Sequence, residues 1–351
     1  MSRRRPSISR RLLRSLALAI CGALFGAPGF AADEAAGQIL ELIQEQVHSI
    51  YDRNGAAVVR IEATFEHERR VGTGFFIDPN GTLYTCYSIG GESPDIVVYF
   101  RGKAHPARRL ISDLRSGVAL LKIDAETPFL TFAKARELTI AAPIIALGYP
   151  LALPLTPSFG IVGGFDVKYG DRYFATTHIR ADLPVQLGEG GAPLLNTKGE
   201  VVGILISMLD SGSASFALPI AAAEKVRTDY MRFLELRPGW IGVHVKAAES
   251  AVSGSTARIE AVIPDAPAEK AGLRQGDILL QLGHCKISAP EDVLDASFFL
   301  TADDEVELRI ARDGTELKLK IQPADPSNAK RPLVPALAPA DALSSGPRVG
   351  E

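Results

Sequence analysis

Short apolar runs separated by turn residues recur about every ten positions through the middle of this chain, and this repeat limits the fold more than any other feature. Runs this short are typical of strands, because buried helices need longer apolar patterns. The runs include Ala57–Ile61, Gly74–Ile77, Ile96–Phe100, Val118–Ile123 and Val201–Ile206. We therefore predict a mostly β fold, a barrel or sandwich, up to about Pro219.

Helical patterns flank this β-rich region on both sides. Apolar residues at helical spacing between Ala35 and Arg53 predict an amphipathic helix, assigned to residues 32–54. It could pack on the following domain or on another subunit, and packing on its own domain is the simpler alternative. A second helix, Ile220 to Leu234, closes a predicted domain over residues 55–234.

A break at Glu235–Gly239 starts a second predicted domain over residues 237–323. It contains a strand at Ala257–Val262, a helix at Pro290–Leu300 and a late hairpin. Residues 324–351 are rich in Pro and Ala without periodicity, which predicts a disordered tail.

The first 31 residues have the pattern of a secretory signal peptide. Six arginines precede an apolar run, Leu16 to Phe25, and small residues follow at Ala31 and Ala32. The run is shorter than the roughly 20 residues of a membrane span, so we predict no integral span after cleavage. The sequence leaves open whether export uses the Sec or the twin-arginine route. Both routes predict a periplasmic or secreted protein.

Charge narrows the choice of partners. The formal net charge is −3, and cleavage would remove six arginines and no acid, which changes it to −9. An acidic protein binds nucleic acid poorly, so we predict no nucleic-acid partner.

A glycine-rich stretch, Leu187–Leu195, is the strongest candidate for a site. Clustered glycines let backbone N–H groups point together at a ligand, as in an oxyanion hole. The donors in such a turn would be Gly188 and Gly190.

Two further segments, Gly72–Ile77 and Phe216–Pro219, match known sequence patterns. Together with the glycine-rich stretch they resemble the HtrA/DegP family of trypsin-like serine proteases over about residues 55–323. The first matches the family's opening strand, and the second matches the strand that borders the substrate cleft. The resemblance implies a trypsin-like double six-stranded β-barrel followed by a PDZ-like α+β domain. Homo-trimers are common in that family.

The catalytic residues that the resemblance implies are missing from this chain. Gly190 stands where the family's Gly-Asn-Ser-Gly-Gly-Pro-Leu carries the nucleophile. Ser88 stands where Leu-Thr-Asn-x-His-Val carries the base, and Gly117 where Thr-Asp-Leu-Ala-Val-Leu-Lys carries the acid. A serine hydroxyl needs an adjacent base, and the base needs an orienting group. We therefore predict a non-catalytic pseudoprotease with no catalytic residues.

Three other residues could supply a relocated catalytic apparatus. Cys86 would need a nearby histidine, and a small buried side chain is its simpler interpretation. His178 precedes Gly188 by ten residues but has no acidic partner at a telling spacing. Glu189 could act as an acid or base, and a solvent-facing loop carboxylate is the simpler account. We predict no metal or cofactor, since the adjacent His284 and Cys285 lack further ligands.

The second domain contains the signature of a PDZ domain. Pro267–Ile278 matches Pro-Ala-x-x-Ala-Gly-Leu-x-x-Gly-Asp-x-Ile. The resemblance implies a carboxylate-binding loop whose N–H groups receive a peptide C-terminus, and a peptide that adds as a strand. The predicted peptide-binding residues are Trp240, Ile241, Gly242, Val243, Leu294 and Phe298. For Val293, on the same helix, a core position is equally consistent with the pattern.

These observations predict a non-catalytic HtrA-like protein of the cell envelope that binds peptide C-termini or unfolded segments. It would act as a scaffold, a chaperone-like holder or a regulator, alone as a homo-oligomer such as a trimer or together with an active paralogue. The alternative is a serine-type endopeptidase or other hydrolase with relocated residues. A third hypothesis keeps the old cleft as a small-ligand or metal site.

Overall fold

The computed structural model of the chain describes residues 29–66, 68–134, 138–170, 172–208 and 215–328. Residues 1–28 of the predicted signal peptide and 329–351 of the predicted tail lie outside these ranges. None of the helices within them is long and apolar enough to cross a membrane.

The first described element is helix α1 (Gly29–Asn54), which covers the predicted amphipathic helix. Ile39, Leu40 and Leu42 are exposed in it, whereas Ile50 is fully buried. A compact unit begins at Ile50. A short 3-10 turn (Gly55–Ala57) then leads into the β-rich region.

Seven antiparallel strands form the first sheet, in the order β5-β4-β1-β2-β3-β7-β6. Their bounds are β1 (Val58–Phe65), β2 (Glu68–Phe76), β3 (Thr82–Cys86), β4 (Asp95–Phe100), β5 (Lys103–Pro106), β6 (Arg108–Asp113) and β7 (Val118–Lys122), with a one-turn helix α2 (Tyr87–Gly90) after β3. The expected six-stranded barrel is therefore a seven-stranded sheet. Pro106 has no N–H to continue the ladder, and the chain divides there into β5 and β6.

A closed six-stranded barrel follows, in the order β10-β13-β12-β11-β8-β9, as the resemblance implied. Its strands are β8 (Pro143–Gly148), β9 (Thr156–Tyr169), β10 (Arg172–Asp182), β11 (Pro193–Leu195), β12 (Val201–Met208) and β13 (Ser215–Pro219). Closure leaves no unpaired sheet edge. Buried side chains such as Ile144, Leu194 and Leu205 fill its interior.

Helix α3 (Ile220–Phe233) connects this barrel to the C-terminal domain. That domain is a sheet in the order β14-β15-β16-β18-β19, with β17 paired to β16. Its elements are β14 (Val243–Val252), β15 (Ser255–Val262), α4 (Pro267–Lys270), β16 (Ile278–Leu282), β17 (Cys285–Lys286), α5 (Pro290–Phe298), β18 (Val306–Arg312) and β19 (Thr315–Ile321). The observed fold is mostly β, as predicted.

The carboxylate of Asp229 joins α3 to the C-terminal domain. It is buried and lies 2.6 Å from the Lys225 ammonium. It also accepts hydrogen bonds from the Thr301 hydroxyl at 3.2 Å and from the Arg237 N–H at 3.4 Å. A buried carboxylate is stable only when it is paired and hydrogen-bonded, so this junction needs residues from both sides.

The C-terminal domain ends later than the sequence indicated. Ala324, which we placed in the disordered tail, exchanges two backbone hydrogen bonds with Trp240, at 2.8 and 2.9 Å. A 3-10 turn (Pro326–Asn328) follows. The Pro- and Ala-rich composition hid this pairing because it involves one residue rather than a periodic strand.

Candidate functional site

Thr73 on β2 holds the glycine-rich turn against the first sheet. Its backbone N–H donates to the Gly190 carbonyl at 2.9 Å, and its hydroxyl donates to the Gly188 carbonyl at 2.8 Å. The same hydroxyl accepts the Tyr149 N–H at 3.1 Å. Thr73 itself is fully buried. One residue therefore fixes the turn relative to both sheets.

The backbone of the turn requires glycine at positions 188 and 191 but not at 190. Gly188 has φ +97°, and a Cβ there would lie 2.4 Å from the Tyr149 carbonyl oxygen. Gly191 has φ +88°, and a Cβ there would lie 2.2 Å from the Thr73 carbonyl oxygen, so only glycine fits. Gly190 does not have a positive φ, and a Cβ there would meet only the Cys86 sulfur, at 3.1 Å. The backbone at position 190 would therefore also accept a residue with a side chain.

The turn presents two unused donors. Within the described part of the chain, neither the Gly188 N–H nor the Gly190 N–H donates to a backbone carbonyl. Both residues are partly exposed. The predicted nest therefore has the donors to bind an oxygen atom, such as a carbonyl or carboxylate oxygen.

Ser88 lies on α2 with its side chain exposed. Its hydroxyl oxygen is 3.2 Å from the Cys86 sulfur, within hydrogen-bonding distance. Cys86 is buried, and this burial raises the pKa of its thiol. The structure thus brings Ser88, Cys86 and Gly190 together, but a protonated thiol beside a hydroxyl is not a general base.

Gly117 occupies a position that disfavours most side chains. Its φ is +77°, a conformation that L side chains rarely adopt. A Cβ there would lie 3.3 Å from the Ile206 side chain. The Gly117 carbonyl accepts the Tyr87 N–H at 2.7 Å, which fixes the loop next to Ser88.

His178 is buried on β10. Its Nδ1–H donates to the Thr176 carbonyl at 2.7 Å, and its ring stacks on Phe174 with centroids 4.2 Å apart. Burial lowers its pKa to about 4. Its hydrogen bond and its ring stacking both have partners on β10 itself, which places His178 as a neutral core residue.

Glu189 is not the solvent-facing carboxylate that its charge suggested. It is only 1% exposed, and its Oε2 accepts the Gln186 N–H at 2.6 Å. Its Oε1 has no hydrogen-bond partner. A Cβ on Gly148 would lie 2.9 Å from the Glu189 Cγ, so the side chain points under the turn. Burial therefore raises the pKa of Glu189.

The predicted carboxylate-binding loop keeps only part of its donors. The Trp240 N–H is already used by the Ala324 carbonyl, so this residue does not offer its N–H to a peptide. Across the described residues, the Ile241 and Gly242 N–H groups donate to no backbone carbonyl outside the strands. Val243 begins the edge strand β14, where a peptide strand could add.

The helix α5 is held by the second barrel. Its Asp295 carboxylate accepts the Thr176 hydroxyl at 2.5 Å and the Thr177 N–H at 2.8 Å. Phe298 is 7% exposed and lies under the Arg115 guanidinium, 5.9 Å from the ring centre. Leu294 is half-buried, which leaves it as the more accessible of the two predicted pocket residues.

Val293 belongs to the core cluster of the C-terminal domain. It is therefore a core residue rather than a residue that lines the peptide pocket. Among the described residues, no group of three or more His, Cys, Asp or Glu side chains is arranged to hold a metal ion.

Two family models match separate parts of the chain. A trypsin-like peptidase domain matches residues 72–204, and a PDZ domain matches residues 239–322. The glycine-rich turn lies within the first match, and the predicted peptide-binding loop lies within the second.

Curated relatives match across both regions. The chain is 29% identical over 265 residues to a protein of Ectopseudomonas mendocina named "Probable periplasmic serine endoprotease DegP-like", covering 72% of this chain and 56% of the relative. A protein of the same name from Chlamydia trachomatis is 27% identical, with 71% and 53% covered. The chain thus spans little more than half the length of these relatives.

Solved structures share the fold. The "HtrA-type protease AlgW with tripeptide" has a TM-score of 0.66 at 22% identity, covering 79% of this chain and 96% of that one. A serine endoprotease from Yersinia pestis has a TM-score of 0.58 at 24% identity, with 80% and 97% covered. At this identity the likeness establishes the arrangement of strands and helices.

Glu189→Gln tests the buried carboxylate. Because folding raises the pKa of Glu189 above its ordinary value of 4.5, wild-type stability falls as pH rises from 4.5 through the folded pKa. Glutamine does not titrate and keeps an oxygen for the Gln186 N–H. We expect the free energy of unfolding of Glu189→Gln, relative to wild type, to increase as pH rises from about 4.5 to about 8.

Urea denaturation at several pH values measures this difference. A difference for Glu189→Gln that stays constant with pH would show that Glu189 is hydrated in solution.

Gly117→Ala and Gly190→Ala form a matched pair. Alanine at the positive φ of Gly117 should lower the free energy of unfolding by about 1–2 kcal/mol. The same change at Gly190 should alter it by less than about 1 kcal/mol, since only the Cys86 sulfur must shift. Chemical denaturation of both variants measures the contrast, and equal costs would contradict the backbone argument.

Proposed function

Since the chain carries a HtrA/DegP-like trypsin-like peptidase domain followed by one PDZ domain, we propose that it acts without catalysis, as a peptide-binding pseudoprotease. Its task would be to hold or deliver polypeptide segments in the cell envelope, or to regulate an active paralogue. The names of its relatives, which call them periplasmic, support this location.

The arrangement around Gly190 carries the proposal. The position of the nucleophile has no side chain. The side-chain atom nearest to a Cβ placed there would be the sulfur of the buried Cys86, which is hydrogen-bonded to the Ser88 hydroxyl. An oxyanion turn and substrate binding alone retain roughly 10³–10⁴-fold acceleration over water. Uncatalysed peptide hydrolysis is far too slow for that factor to give useful turnover.

Backbone conformation adds a second reason. The carboxylate that would orient a base is replaced by a glycine with a positive φ beside Ile206. A histidine placed at position 88 would therefore have no acid behind it at position 117. The proposed absence of a triad therefore rests on the loop backbone at 117 as well as on the missing side chains.

Binding is assigned to the PDZ domain. The Ile241 and Gly242 N–H groups are the remaining donors for a peptide carboxylate, and β14 is an edge strand that can accept a further strand. Leu294 is the accessible apolar side chain on the facing helix. These features favour an extended peptide with a free C-terminus and an apolar final residue.

A serine-type endopeptidase or other hydrolase with relocated residues is the second candidate function. The names of the curated relatives favour it, since each is called a serine endoprotease. The closeness of Cys86 to position 190 identifies the thiol that such a mechanism would use. Its raised pKa counts against a thiolate nucleophile.

A cleavage assay separates the two candidates. The purified chain is incubated with unfolded casein and with a serine-directed fluorophosphonate, beside an active trypsin-like protease as the positive control. We expect neither cleavage nor labelling. Cleavage that disappears in Cys86→Ala or His178→Ala, but persists in the matched Cys285→Ala, would establish the hydrolase instead.

Peptide binding is tested independently with a C-terminal peptide library. Each peptide is offered with a free and an amidated C-terminus, and we expect amidation to weaken binding at least about tenfold because it removes a charge-assisted hydrogen-bond acceptor. Leu294→Glu should weaken selection for apolar final residues, whereas Glu291→Gln on the same helix should not. Equal binding of free and amidated peptides would contradict the assigned mode.

Gly242 is a poor position for such a test. Its φ is +83°, and a Cβ there would lie 2.3 Å from the Ala266 Cβ. A substitution would therefore disturb the fold of the domain along with the loop.

A further inference from the structure

The PDZ domain has a second concave surface, on the face of its sheet opposite helix α5. Ala257, Ile259 and Leu279 point into the main core on the α5 side. Their neighbours along the strands therefore point to the other face, where Ile278, Leu280 and Ala311 form a separate small cluster. This face is distinct from the groove between α5 and β14.

A cleft of about 390 Å³ opens on this second face. We call it the outer cleft. Its lining residues are Ala248, Glu249, Ser250, Val252, Arg258, Gly276, Ile278, Ala311, Asp313 and Gly314. The volume lies within the range of small-molecule sites, about 300–1,000 Å³.

A bulge in β14 builds one wall of the outer cleft. Ala247 pairs with Ala257 and Val252 pairs with Ser255, so the four residues between Ala247 and Val252 face a single residue on β15. The extra residues leave the ladder and stand over the sheet. Glu249 and Ser250 belong to this bulge.

The opposite wall is the hairpin turn between β18 and β19, at Asp313 and Gly314. A partly buried ion pair supports it, because the Arg312 guanidinium contacts both oxygens of the buried Asp277 at 2.7 Å. Arg312 also donates to the Gly272 carbonyl at 2.8 Å. Bidentate pairs of this kind are rigid, so the wall keeps its position.

Three charged side chains line the outer cleft without a hydrogen-bonded partner. Within residues 215–328, the side chains of Arg258, Glu249 and Asp313 make no hydrogen bond and no ion pair within 4.0 Å. The nearby Glu260 is already paired with Lys246 at 2.6 Å. A guanidinium and two carboxylates thus surround an apolar floor of Ile278 and Ala311.

We propose that the outer cleft binds a short free peptide with an apolar side chain. The Arg258 guanidinium would receive the peptide carboxylate, and Glu249 with Asp313 would receive its α-ammonium group. The apolar side chain would lie on Ile278 and Ala311. Two carboxylates beside one guanidinium disfavour a phosphate dianion, so a zwitterion fits better.

This inference goes beyond the proposed function and does not depend on it, because the groove beside α5 takes no part. A peptide bound in that groove would be held by one terminus and by strand pairing. A peptide in the outer cleft would be held by both termini, which restricts the ligand to roughly two or three residues for this volume.

Saturation-transfer NMR titrations of the full chain with alanyl-leucine test the outer cleft. We expect saturable binding with a dissociation constant on the order of 1 mM. N-acetyl and C-amide forms of the dipeptide should each bind at least about tenfold more weakly, because each loses one charge-assisted contact. Undetectable binding of the uncapped dipeptide, or equal binding of capped and uncapped forms, would overturn the proposal.

Two variants assign the contacts. Arg258→Gln should weaken the binding of alanyl-leucine about tenfold and leave the binding of its C-amide form unchanged. Asp313→Asn should likewise weaken the binding of alanyl-leucine about tenfold and leave the binding of its N-acetyl form unchanged. Asparagine tolerates the positive φ of position 313, so the turn is kept. Lys318→Gln, an exposed charge on β19, is the matched control and should have no effect.

A third variant separates the two peptide sites. Leu294→Arg in the α5 groove should leave dipeptide binding unchanged, and loss of binding there would place the ligand in the groove and refute the proposal. Inorganic phosphate that competes as strongly as the dipeptide would identify a simple anion site and would also refute it.

Discussion

Thr73 joins the parts of the molecule that the candidate site needs. Its carbonyl accepts the Thr85 hydroxyl at 2.8 Å, while its own N–H and hydroxyl reach the Gly190 and Gly188 carbonyls. These bonds bridge the first sheet and a loop of the second barrel. Losing the Thr73 hydroxyl would leave the Gly188 carbonyl and the Tyr149 N–H without this partner. The shape of the turn therefore depends on Thr73, Gly188 and Gly191 rather than on a side chain at position 190.

The sequence predicted the parts of the fold that follow from periodicity and from turn residues. Short apolar runs gave strands, and the helices at Ile220–Phe233 and Pro290–Phe298 follow the pattern of their apolar residues. Burial that depends on segments far apart in the chain could not be predicted from the sequence. Glu189 looked like a surface residue, because nothing in the local sequence reveals that Gly148 and Gln186 enclose it. The loss of the Trp240 donor was equally invisible, since Ala324 lies far away in the chain.

The two domains share polar contacts that are at least partly buried, and these limit how the PDZ helix can move. Asp295 of α5 is held by Thr176 and Thr177, and Asp229 of α3 is held in part by Thr301. A peptide that entered the groove beside α5 would therefore bind a helix that is already positioned. Pre-positioning of this kind reduces the conformational entropy lost on binding. The outer cleft lies on the other face of the same sheet, so its walls do not depend on these contacts.

The positive φ of Gly117 has an evolutionary consequence. Ser88 and Gly190 could each be replaced by a catalytic residue with little change to the backbone, but an aspartate at 117 would have to adopt a positive φ with its Cβ 3.3 Å from Ile206, which costs stability. In the proposed pseudoprotease, each single step toward a triad would bring no turnover, and the step at 117 would also lower stability. Such a route needs several changes at once, so small gains in hydrolysis could not guide it.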